Sequence, residues 1–554
     1  MIKEREIAMY LERYKNWLAS TDVNTVEELT IITDNEEIYD RFYRDLEFGT
    51  GGLRGILGAG TNRMNIYTVR KATQGLANEL IDCGAEAVSK GVVIAHDSRN
   101  MSREFALECT KVLAANGIKA YLFDSLRPTP MLSFAVRYLG TARGIVITAS
   151  HNPKEYNGYK VYGEDGGQIP PAVADGILKY IDGIDIFNDV KVAESNYIEI
   201  GKEVDDAYIK AVKEQSMNIG IPKDFKVVYT PIHGSGNMPV RRILSEIGVE
   251  NVIVVKEQEL PDGNFSTVNS PNPENKEALD MGIEYAKEKG ADLVFGTDPD
   301  CDRIGVAVKT ENGEYVCLSG NQTGSLLCEF ILRKMSERNE LPDNAAVIKT
   351  IVTTELVKKI ADSYGTKLFD VLTGFKYIGE KIKEFEESHS NTYIFGLEES
   401  YGYLKGTYAR DKDAVVAAML ICEMAADYQS KGMTLYDGLQ ELYKKYGYTE
   451  EKLITKTLYG EDGSKRIKEI MQELRNNPPK EIGDCKVTKV LDYNQGIDGL
   501  PKSDVLKFFF NDGWFAVRPS GTEPKIKFYF GVDGNDRKAV KSNFDEIEKY
   551  INKI

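Results

Sequence analysis

The sequence lacks most of what a membrane-spanning, secreted or disulfide-stabilised protein requires. No apolar run in the 554 residues approaches the ~18 residues of a transmembrane helix. The start, MIKEREIAMYLERYKNWL, is charged and amphipathic, and it lacks the apolar core of a signal peptide. The seven cysteines form no C-x-x-C pair and leave one over, which favours a reducing compartment. We therefore expect a cytoplasmic protein without a membrane partner.

Positive charge is also in deficit. The chain has 70 Lys and Arg against 86 Asp and Glu, which gives a formal net charge of −16. A general nucleic-acid or anionic-membrane surface needs a positive face, so neither partner is expected. An anionic substrate would have to meet basic residues gathered at one place on an acidic protein.

Four apolar, strand-like runs each end in a loop rich in glycine, proline and charge. They are GIVITASHNP (144–153), ADLVFGTDPDCDRIGVAV (291–308), TYIFGLEESYGY (392–403) and GWFAVRPSGTEPKIKFYF (513–530). Helical patterns such as 272–289 and 412–427 separate them, and this alternation predicts an α/β protein. Ligands of such sheets bind beyond the carboxyl ends of strands, so the four loops could face one cleft. Domain boundaries are predicted near 203, 315 and 445, which gives domains 1–203, 204–315, 316–445 and 446–554.

The loop GTDPDCDR places Asp298, Asp300 and Asp302 within five residues. Carboxylates packed this closely repel one another unless a hard cation lies among them, and Mg²⁺ prefers oxygen ligands. An acidic surface turn is the plain alternative. A calcium EF-hand would need Gly and Glu where Arg303 and Lys309 stand, with helices on either side, so that interpretation is set aside.

The loop TASHNP joins Ser150 to His151, and three interpretations are open. A serine hydrolase would place its nucleophile in a G-x-S-x-G elbow, which is missing here. Ser150 could instead cap a helix. It could also carry a phosphoryl group, because phosphoryl transfer depends more on positioning and charge neutralisation than on a strong base. A phosphoserine oxygen could then join the metal site of the three aspartates.

The loop RPSGTEPK has the composition of an anion-binding site. Arg518 can bind a phosphate with two hydrogen bonds, hydroxyls add donors, and a glycine lets the backbone approach. The alternative is a plain turn between two strands. The residues predicted to bind the anion are Arg518, Ser520, Gly521, Thr522 and Lys525.

Three further segments carry weaker signals. Glu398 and Ser400 in GLEESYG suit sugar hydroxyls, although a solvated turn fits as well. TGFK (373–376) offers Lys376 as a second phosphate contact, or as a surface lysine. EFGTGGLRG (47–55) contains Arg54 but is neither a Walker loop nor a dinucleotide-binding fingerprint.

Two remaining loops have no assigned chemistry. AHDSRN (95–100) follows the apolar run VVI and could be a turn or an edge of the active site. YTPIHGSGN (229–237) contains His233, which we expect to hold the backbone of its loop.

Taken together, the four loops resemble those of the α-D-phosphohexomutase superfamily, in the family order. TASHNP resembles the phosphoserine loop, GTDPDCDR the metal loop, GLEESYG the sugar-recognition loop and RPSGTEPK the phosphate-binding loop. The resemblance runs from Glu47 to Phe530. The GLRG stretch and the N-terminal helix resemble the longer, phosphoglucomutase/phosphopentomutase-like branch. The fold implied is three related α/β domains with mixed sheets and a smaller C-terminal α+β domain, around a central cleft.

The resemblance also implies a role for each residue. Ser150 would be the phosphorylated residue, His151 would shape its loop, and Lys160 would be the candidate general acid/base. Asp298, Asp300, Asp302 and a phosphoserine oxygen would bind one Mg²⁺ per chain. Arg54 and Arg303 would lie near the transferring phosphoryl group. The residues implied in substrate binding are Arg303, Thr373, Lys376, Glu398, Ser400, Arg518, Ser520, Gly521, Thr522 and Lys525.

The activity implied is that of a phosphosugar mutase acting on small sugar phosphates. Phospho-Ser150 would give its phosphoryl group to a sugar monophosphate, and the bisphosphate intermediate would return its other phosphoryl group. The expected substrates are α-D-glucose 1-phosphate and glucose 6-phosphate, with glucose 1,6-bisphosphate as activator and intermediate. Ribose, deoxyribose or mannose phosphates are alternative substrates, because Leu397 separates Gly396 from the acids of the sugar loop. A metal-dependent sugar phosphatase or an inactive sugar-phosphate sensor would lie outside this class.

Overall fold

The computed structural model describes residues 2–49, 52–520 and 524–554. These residues form three α/β units with mixed sheets, followed by a smaller α+β unit, so the predicted fold class is confirmed. None of the helices in these ranges is long and apolar enough to cross a membrane.

The first unit is a six-stranded sheet preceded by three helices. Its strand order is β1-β5-β4-β2-β3-β6, with β1 and β5 antiparallel to their neighbours. The central strand β2 is buried along its whole length, as expected of a strand covered by helices on both faces. The elements are α1 (Ile2–Ser20), α2 (Val23–Thr30), α3 (Asn35–Phe42), β1 (Gly52–Ile56), α4 (Ile66–Asp82), α5 (Ala85–Lys90), β2 (Val92–His96), α6 (Ser102–Ala115), β3 (Ala120–Phe123), α7 (Thr129–Leu139), β4 (Arg143–Ile147), β5 (Tyr156–Gly163), α8 (Pro171–Asp182) and β6 (Ile198–Ile200).

The N-terminal helices pack on the first unit through an aromatic cluster. Trp17 is 1% exposed and makes edge contacts with Phe42, Tyr67 and Phe187. Aromatic side chains bury large apolar areas, so this cluster attaches the helical extension to α4.

The second unit is a five-stranded sheet in the order β11-β10-β9-β7-β8. Strands β8, β7 and β9 are parallel, and β10 and β11 continue as antiparallel hairpins. The turn between β9 and β10 contains the three aspartates. The elements are α9 (Lys202–Lys213), β7 (Lys226–Thr230), α10 (Asn237–Glu246), β8 (Asn251–Val254), α11 (Lys256–Glu259), α12 (Glu277–Lys289), β9 (Leu293–Thr297), β10 (Ile304–Lys309) and β11 (Tyr315–Leu318).

The third unit is a four-stranded sheet in the order β13-β12-β14-β15. Its helix α16 is predominantly apolar and buried along nearly its whole length, so it lies in the core between units. The elements are α13 (Gly320–Glu337), β12 (Ala345–Thr350), α14 (Leu356–Ser363), β13 (Lys367–Val371), α15 (Phe375–Ser388), β14 (Thr392–Glu398), β15 (Gly402–Lys405), α16 (Ala414–Gln429) and α17 (Leu435–Tyr446).

The C-terminal unit is an antiparallel sheet in the order β16-β21-β20-β19-β18-β17, with its own apolar core beneath two helices. The elements are β16 (Tyr448–Thr457), α18 (Gly460–Asn476), β17 (Glu481–Ile482), β18 (Cys485–Asp492), a 3-10 turn (Tyr493–Gln495), β19 (Leu506–Phe510), β20 (Gly513–Pro519), β21 (Lys525–Gly534) and α19 (Arg537–Lys553).

Two helices begin later than the sequence patterns indicate. The pattern 272–289 corresponds to α12, which starts at Glu277 because the segment before it contains Pro273. The pattern 412–427 corresponds to α16, which starts at Ala414 because Asp413 caps it by accepting hydrogen bonds from the amides of Val415 and Val416. Both shifts release residues into loops that line the cleft described below.

Candidate active site

A cleft of about 1130 Å³ receives residues from all four units. The loops after β4, β9, β14 and β20 meet there, as expected of loops at the carboxyl ends of strands. The predicted site residues that line it are Arg54, Ser150, His151, Lys160, Asp302, Arg303, Thr373, Glu398, Ser400, Arg518 and Lys525. Asp298 and Asp300 are fully buried directly behind this surface.

Ser150 lies in the turn between β4 and β5, at the floor of the cleft. Its φ of 53° is in the left-handed region, and its amide donates to Thr148 Oγ1 at 2.8 Å. Its hydroxyl donates to Asp298 Oδ2 at 3.0 Å and lies 3.3 Å from His151 Nδ1. Because a strand follows this turn, the helix-cap interpretation of Ser150 is wrong.

His151 follows Ser150 in the chain and lines the cleft beside it. Burial, together with the positive charges of Arg303 and Arg54, lowers the pKa of His151 well below its ordinary value. The neutral imidazole therefore fits the predicted role of shaping the loop.

Asp298, Asp300 and Asp302 form a buried group whose oxygen atoms lie within 4.8 Å of one another. The turn is held by the amides of Asp302 and Arg303, which donate to Asp298 Oδ1 at 3.1 and 3.0 Å. Burial and the two neighbouring carboxylates raise the pKa of Asp298 well above its ordinary value. Burial acts in the same direction on Asp300, but the pKa of that group is lowered because Lys160 and Lys412 lie beside it.

This aspartate group has the chemistry of a site for a hard cation. Asp300 Oδ1 and Asp302 Oδ1 are buried and have no hydrogen-bond partner in the described part of the chain. Buried polar atoms are normally satisfied, so two such oxygens in a group of three clustered carboxylates fit a bound cation. An all-oxygen donor set suits Mg²⁺, and β9 and β10 on either side exclude the EF-hand alternative.

Basic side chains lie around the aspartates, although the protein as a whole has a net negative charge. Lys160 Nζ lies 3.0 Å from Asp300 Oδ2, and Lys412 Nζ lies 2.8 Å from Asp302 Oδ2. Arg303 forms an ion pair with Glu274, and Arg54 Nη1 donates to Asn152 Oδ1 at 3.0 Å. The positive charge that an anionic substrate needs is therefore concentrated at this end of the cleft.

The sugar-loop candidates lie at the end of β14 in the third unit and line the cleft. Glu398 is the last residue of β14, and its Oε1 accepts a hydrogen bond from the Gly374 amide at 3.0 Å. Burial raises the pKa of Glu398 to about 7, against the opposing effect of Lys412. Leu397, which separates Gly396 from the acids of this loop, is fully buried. Neighbouring strand residues point to opposite faces, so the buried leucine leaves Glu398 on the cleft.

Thr373 and Lys376 differ in their relation to the cleft. Thr373 lines it, and its buried hydroxyl has no hydrogen-bond partner among the described residues. Lys376 stands in the first turn of α15 with its Nζ 5.0 Å from the centre of the Tyr377 ring, and burial lowers its pKa. Lys376 is not one of the described residues that line the cleft, so its contact with a phosphate remains a prediction.

The C-terminal unit supplies the far wall. Arg518 near the end of β20 is paired across the sheet with Lys527 of β21, and Lys525 begins that strand. Burial raises the pKa of Tyr529, against the opposing effect of the charge and hydrogen bond of the Arg518 side chain. The Ser520 amide donates to the Lys525 carbonyl at 2.8 Å. Gly521 and Thr522, also predicted here, lie outside the described residues.

Comparison with known families covers most of the chain. Profiles of the phosphoglucomutase/phosphomannomutase family match in sequence order: alpha/beta/alpha domain I at 45–186, domain II at 206–313, domain III at 319–446 and the C-terminal domain at 465–549. The chain belongs to the phosphoglucomutase/phosphomannomutase family. The predicted α-D-phosphohexomutase resemblance is confirmed, and membership makes the chain a phosphotransferase of the mutase type.

Individual relatives of this mutase extend over its full length. Phosphoglucomutase of Staphylococcus haemolyticus is 36% identical, with 97% of this chain and 98% of the relative covered. A Staphylococcus aureus phosphoglucomutase is 39% identical, with 97% of both chains covered. Among solved structures, a phosphoglucomutase/phosphomannomutase family protein from Burkholderia thailandensis has a TM-score of 0.67 at 20% identity, covering 91% of this chain and 96% of that one, which shows a shared fold.

Sequence reasoning missed several charged residues of this mutase's cleft, among them Lys412 and Glu274. Lys412 was hidden because the helical pattern was read from 412, whereas it precedes the cap of α16. Glu274 was hidden for the same reason in the pattern 272–289. Two local signals could have revealed them. Lys412 directly precedes Asp413, a good N-cap residue, and Glu274 directly follows Pro273, so both could have been placed before the start of a helix.

Proposed function

We propose that this mutase interconverts α-D-glucose 1-phosphate and glucose 6-phosphate. The observation that carries the proposal is the 3.0 Å contact between the Ser150 hydroxyl and Asp298, within a group of three buried aspartates at one end of a cleft. The opposite wall of that cleft carries Arg518 and Lys525. A serine acceptor at one end and an anion-binding wall at the other suit a substrate with two positions for phosphate. Relatives named phosphoglucomutase over the full chain favour glucose.

Ser150 carries the phosphoryl group in this proposal. A sugar hydroxyl attacks the phosphorus of phospho-Ser150, the bond from phosphorus to the serine oxygen breaks, and the product is a sugar bisphosphate. Lys160 is the candidate that supplies a proton to the leaving serine oxygen, and the proton that the attacking sugar hydroxyl loses replaces it on the Lys160 amine, so no net proton is gained or lost. The return step reverses both proton transfers. Its ion pair with Asp300 holds its Nζ in the aspartate group.

Asp298, Asp300, Asp302 and an oxygen of phospho-Ser150 would hold one Mg²⁺ per chain. When bound, this ion offsets negative charge on the group being transferred. Arg303 and Arg54 line the same end of the cleft and add positive charge around that group.

The rest of the substrate would be held by the other two walls. Glu398 and Ser400 are suited to sugar hydroxyls. The phosphate that does not react would be bound by Arg518, Ser520, Gly521, Thr522 and Lys525, with Thr373 and Lys376 as further candidates. Binding energy from this remote phosphate would orient the reacting hydroxyl.

The bisphosphate must present each of its phosphates to Ser150 in turn. The cleft of about 1130 Å³ exceeds the ~300–1,000 Å³ of ordinary small-molecule pockets. This volume supports an intermediate that turns over within the cleft, and glucose 1,6-bisphosphate would therefore also act as the activator. The seven unpaired cysteines support a reducing, cytoplasmic location.

The test is an isomerisation assay with glucose 1-phosphate, Mg²⁺ and a trace of glucose 1,6-bisphosphate, in which a coupled dehydrogenase reports glucose 6-phosphate. We expect activity that requires Mg²⁺ and is lost in Ser150→Ala. Ribose 1-phosphate and mannose 1-phosphate run in parallel, and a much faster reaction with either would assign the enzyme to that sugar. Release of inorganic phosphate without isomerisation would identify a phosphatase and refute the proposal.

A further inference from the structure

Arg99, in the AHDSRN segment after β2, makes an unusual set of contacts with the Ser150 loop. Its guanidinium donates to four backbone carbonyls, three in that loop and one at the start of β5: Ser150 at 2.5 Å, Asn152, Pro153 at 2.9 Å, and Tyr156 at 3.1 Å. The Arg99 side chain is 0% exposed, so water does not replace these donors. Buried carbonyls need hydrogen-bond partners, and one side chain supplies them for a whole turn.

Asp97 holds the Arg99 side chain in place. The Arg99 amide donates to Asp97 Oδ1 at 2.9 Å, and the Ser102 hydroxyl donates to the same oxygen at 2.6 Å. The other carboxylate oxygen of Asp97 lies 3.4 Å from Arg99 Nε. This arrangement fixes the orientation of the planar guanidinium of Arg99.

The loop that Arg99 holds needs external support. Ser150 adopts a left-handed φ of 53°, which a residue with a Cβ rarely occupies. Between β4 and β5 the loop is held by few backbone bonds, among them the short-range bond from Asn152 N to Ala149 O at 3.1 Å and the long-range bond from Leu57 N to Glu155 O at 2.7 Å. Conformations of this kind persist where their surroundings determine them.

Arg99 also contacts the unit that carries the aspartates. Its guanidinium lies 5.0 Å from the centre of the Phe265 ring, and Phe265 is 1% exposed. The neighbouring Asn100 donates to Asn264 Oδ1 at 3.0 Å. Gly263 packs so closely there that a Cβ would meet the Asn100 amide at 2.6 Å. Arg99 therefore lies between the serine loop and the second unit, on which Asp298 is found.

We propose that Arg99 is a positioning residue that fixes the Ser150 hydroxyl against Asp298. It acts through the loop backbone and the Phe265 contact, and it does not touch the substrate. The expected effect on kcat rests on the proposed mutase reaction. The expected effect on the loop does not, because it depends only on contacts within the chain.

The test combines hydrogen–deuterium exchange with steady-state kinetics on the full chain. Arg99→Met is compared with Arg103→Met, because Arg103 lies nearby and donates at 2.8 Å to one carbonyl, that of Phe123, outside the loop. In Arg99→Met, peptides covering 148–157 should exchange faster, while those of the C-terminal unit should be unchanged. The kcat should fall about 100-fold with KM within about threefold, as expected of a small misplacement of a reacting group. Arg103→Met should match the parent protein in both measurements.

A second variant, Arg99→Lys, keeps the charge and removes the fork. An ammonium has three donors on one atom and cannot span the four carbonyls, so faster loop exchange and a reduced kcat are expected here too. Parent-like exchange and kcat in Arg99→Lys would overturn the proposal, and this variant decides the matter if Arg99→Met does not fold. A raised KM with unchanged kcat would overturn it as well, because Arg99 would then act in substrate binding. Absence of mutase activity in the parent protein would refute the proposed function, whereas the exchange data would still decide whether Arg99 holds the loop.

Discussion

Replacing Arg518 by alanine should weaken substrate binding with little effect on the fold. Arg518 stands near the end of β20, where its backbone is paired with Lys527, and it lines the cleft in the part contributed by the C-terminal unit. The sheet bonds of β20 involve the backbone alone, so they survive truncation of the side chain. The change therefore removes the planar donor group that we assign to the phosphate at the non-reacting end.

The size of the effect follows from the contacts that remain. A hydrogen bond to a charged group contributes about 1.5–3 kcal/mol, and a bidentate pair lies at the upper end of that range. Lys525 and Lys527 still line the wall and preserve part of the attraction. A net loss of about 2–3 kcal/mol corresponds to a rise in KM of about 30- to 150-fold. If the contact is equal in the ground state and the transition state, kcat should change by less than about tenfold.

The assay is the coupled isomerisation at varied glucose 1-phosphate and saturating Mg²⁺. Arg475→Ala is the matched control, because Arg475 belongs to the same unit and pairs with Asp492 and Asp504 away from the cleft lining. Arg518→Lys, which keeps the charge and loses the fork, should give an intermediate KM. A KM for Arg518→Ala equal to that of Arg475→Ala would refute the assignment of Arg518 to phosphate binding.

Three further changes have definite expected outcomes. Ser150→Ala should abolish ³²P labelling of the protein by labelled glucose 1,6-bisphosphate, and normal labelling would exclude Ser150 as the carrier. Burial raises the pKa of Glu398 to about 7 from 4.5, so between these values the folded state binds more protons than the unfolded state and loses stability as pH rises. The free energy of unfolding of Glu398→Gln, measured in urea, should therefore rise relative to that of the parent by at most about 3 kcal/mol between pH 4.5 and 7. A difference between the two proteins that does not change with pH would contradict this. Lys507→Met removes a buried 2.6 Å ion pair with Glu355 that joins the third and C-terminal units. Lys349 still contacts that carboxylate in the variant, which limits the effect. We expect calorimetry to show a decrease of about 2–3 kcal/mol in the free energy of unfolding, and no such decrease for the exposed control Lys489→Met.

Local chemistry in the sequence was enough to identify the family and several parts of the site. Asp298, Asp300 and Asp302 are close in sequence, so a tight turn at that position brings their carboxylates together. The strand-then-loop pattern likewise predicted where β4, β9, β14 and β20 end, because a run of buried residues stops where the chain turns to polar residues. These features depend on spacing along the chain, and spacing is visible in a sequence.

Element boundaries were predicted less well, and this affected the site. Lys412 was assigned to a helix that begins two residues later, so its ion pair with Asp302 was not expected. Lys376 follows a flexible turn and was expected on the cleft, yet the first turn of α15 places its side chain over Tyr377. A shift of one or two residues at a helix start turns a side chain by about 100° per residue, which decides whether it faces a cleft.

The sequence by itself determined the reactive groups: a serine in a turn, three carboxylates in another, and basic residues on a strand of the last unit. Only the tertiary structure decided that Ser150 meets Asp298 at 3.0 Å, 148 residues away along the chain. The same holds for Arg99, whose four hydrogen bonds reach a loop and the start of β5 more than 50 residues further on. The physical reason is that such distances are set by the packing of whole units through their buried side chains, and no local pattern encodes that packing.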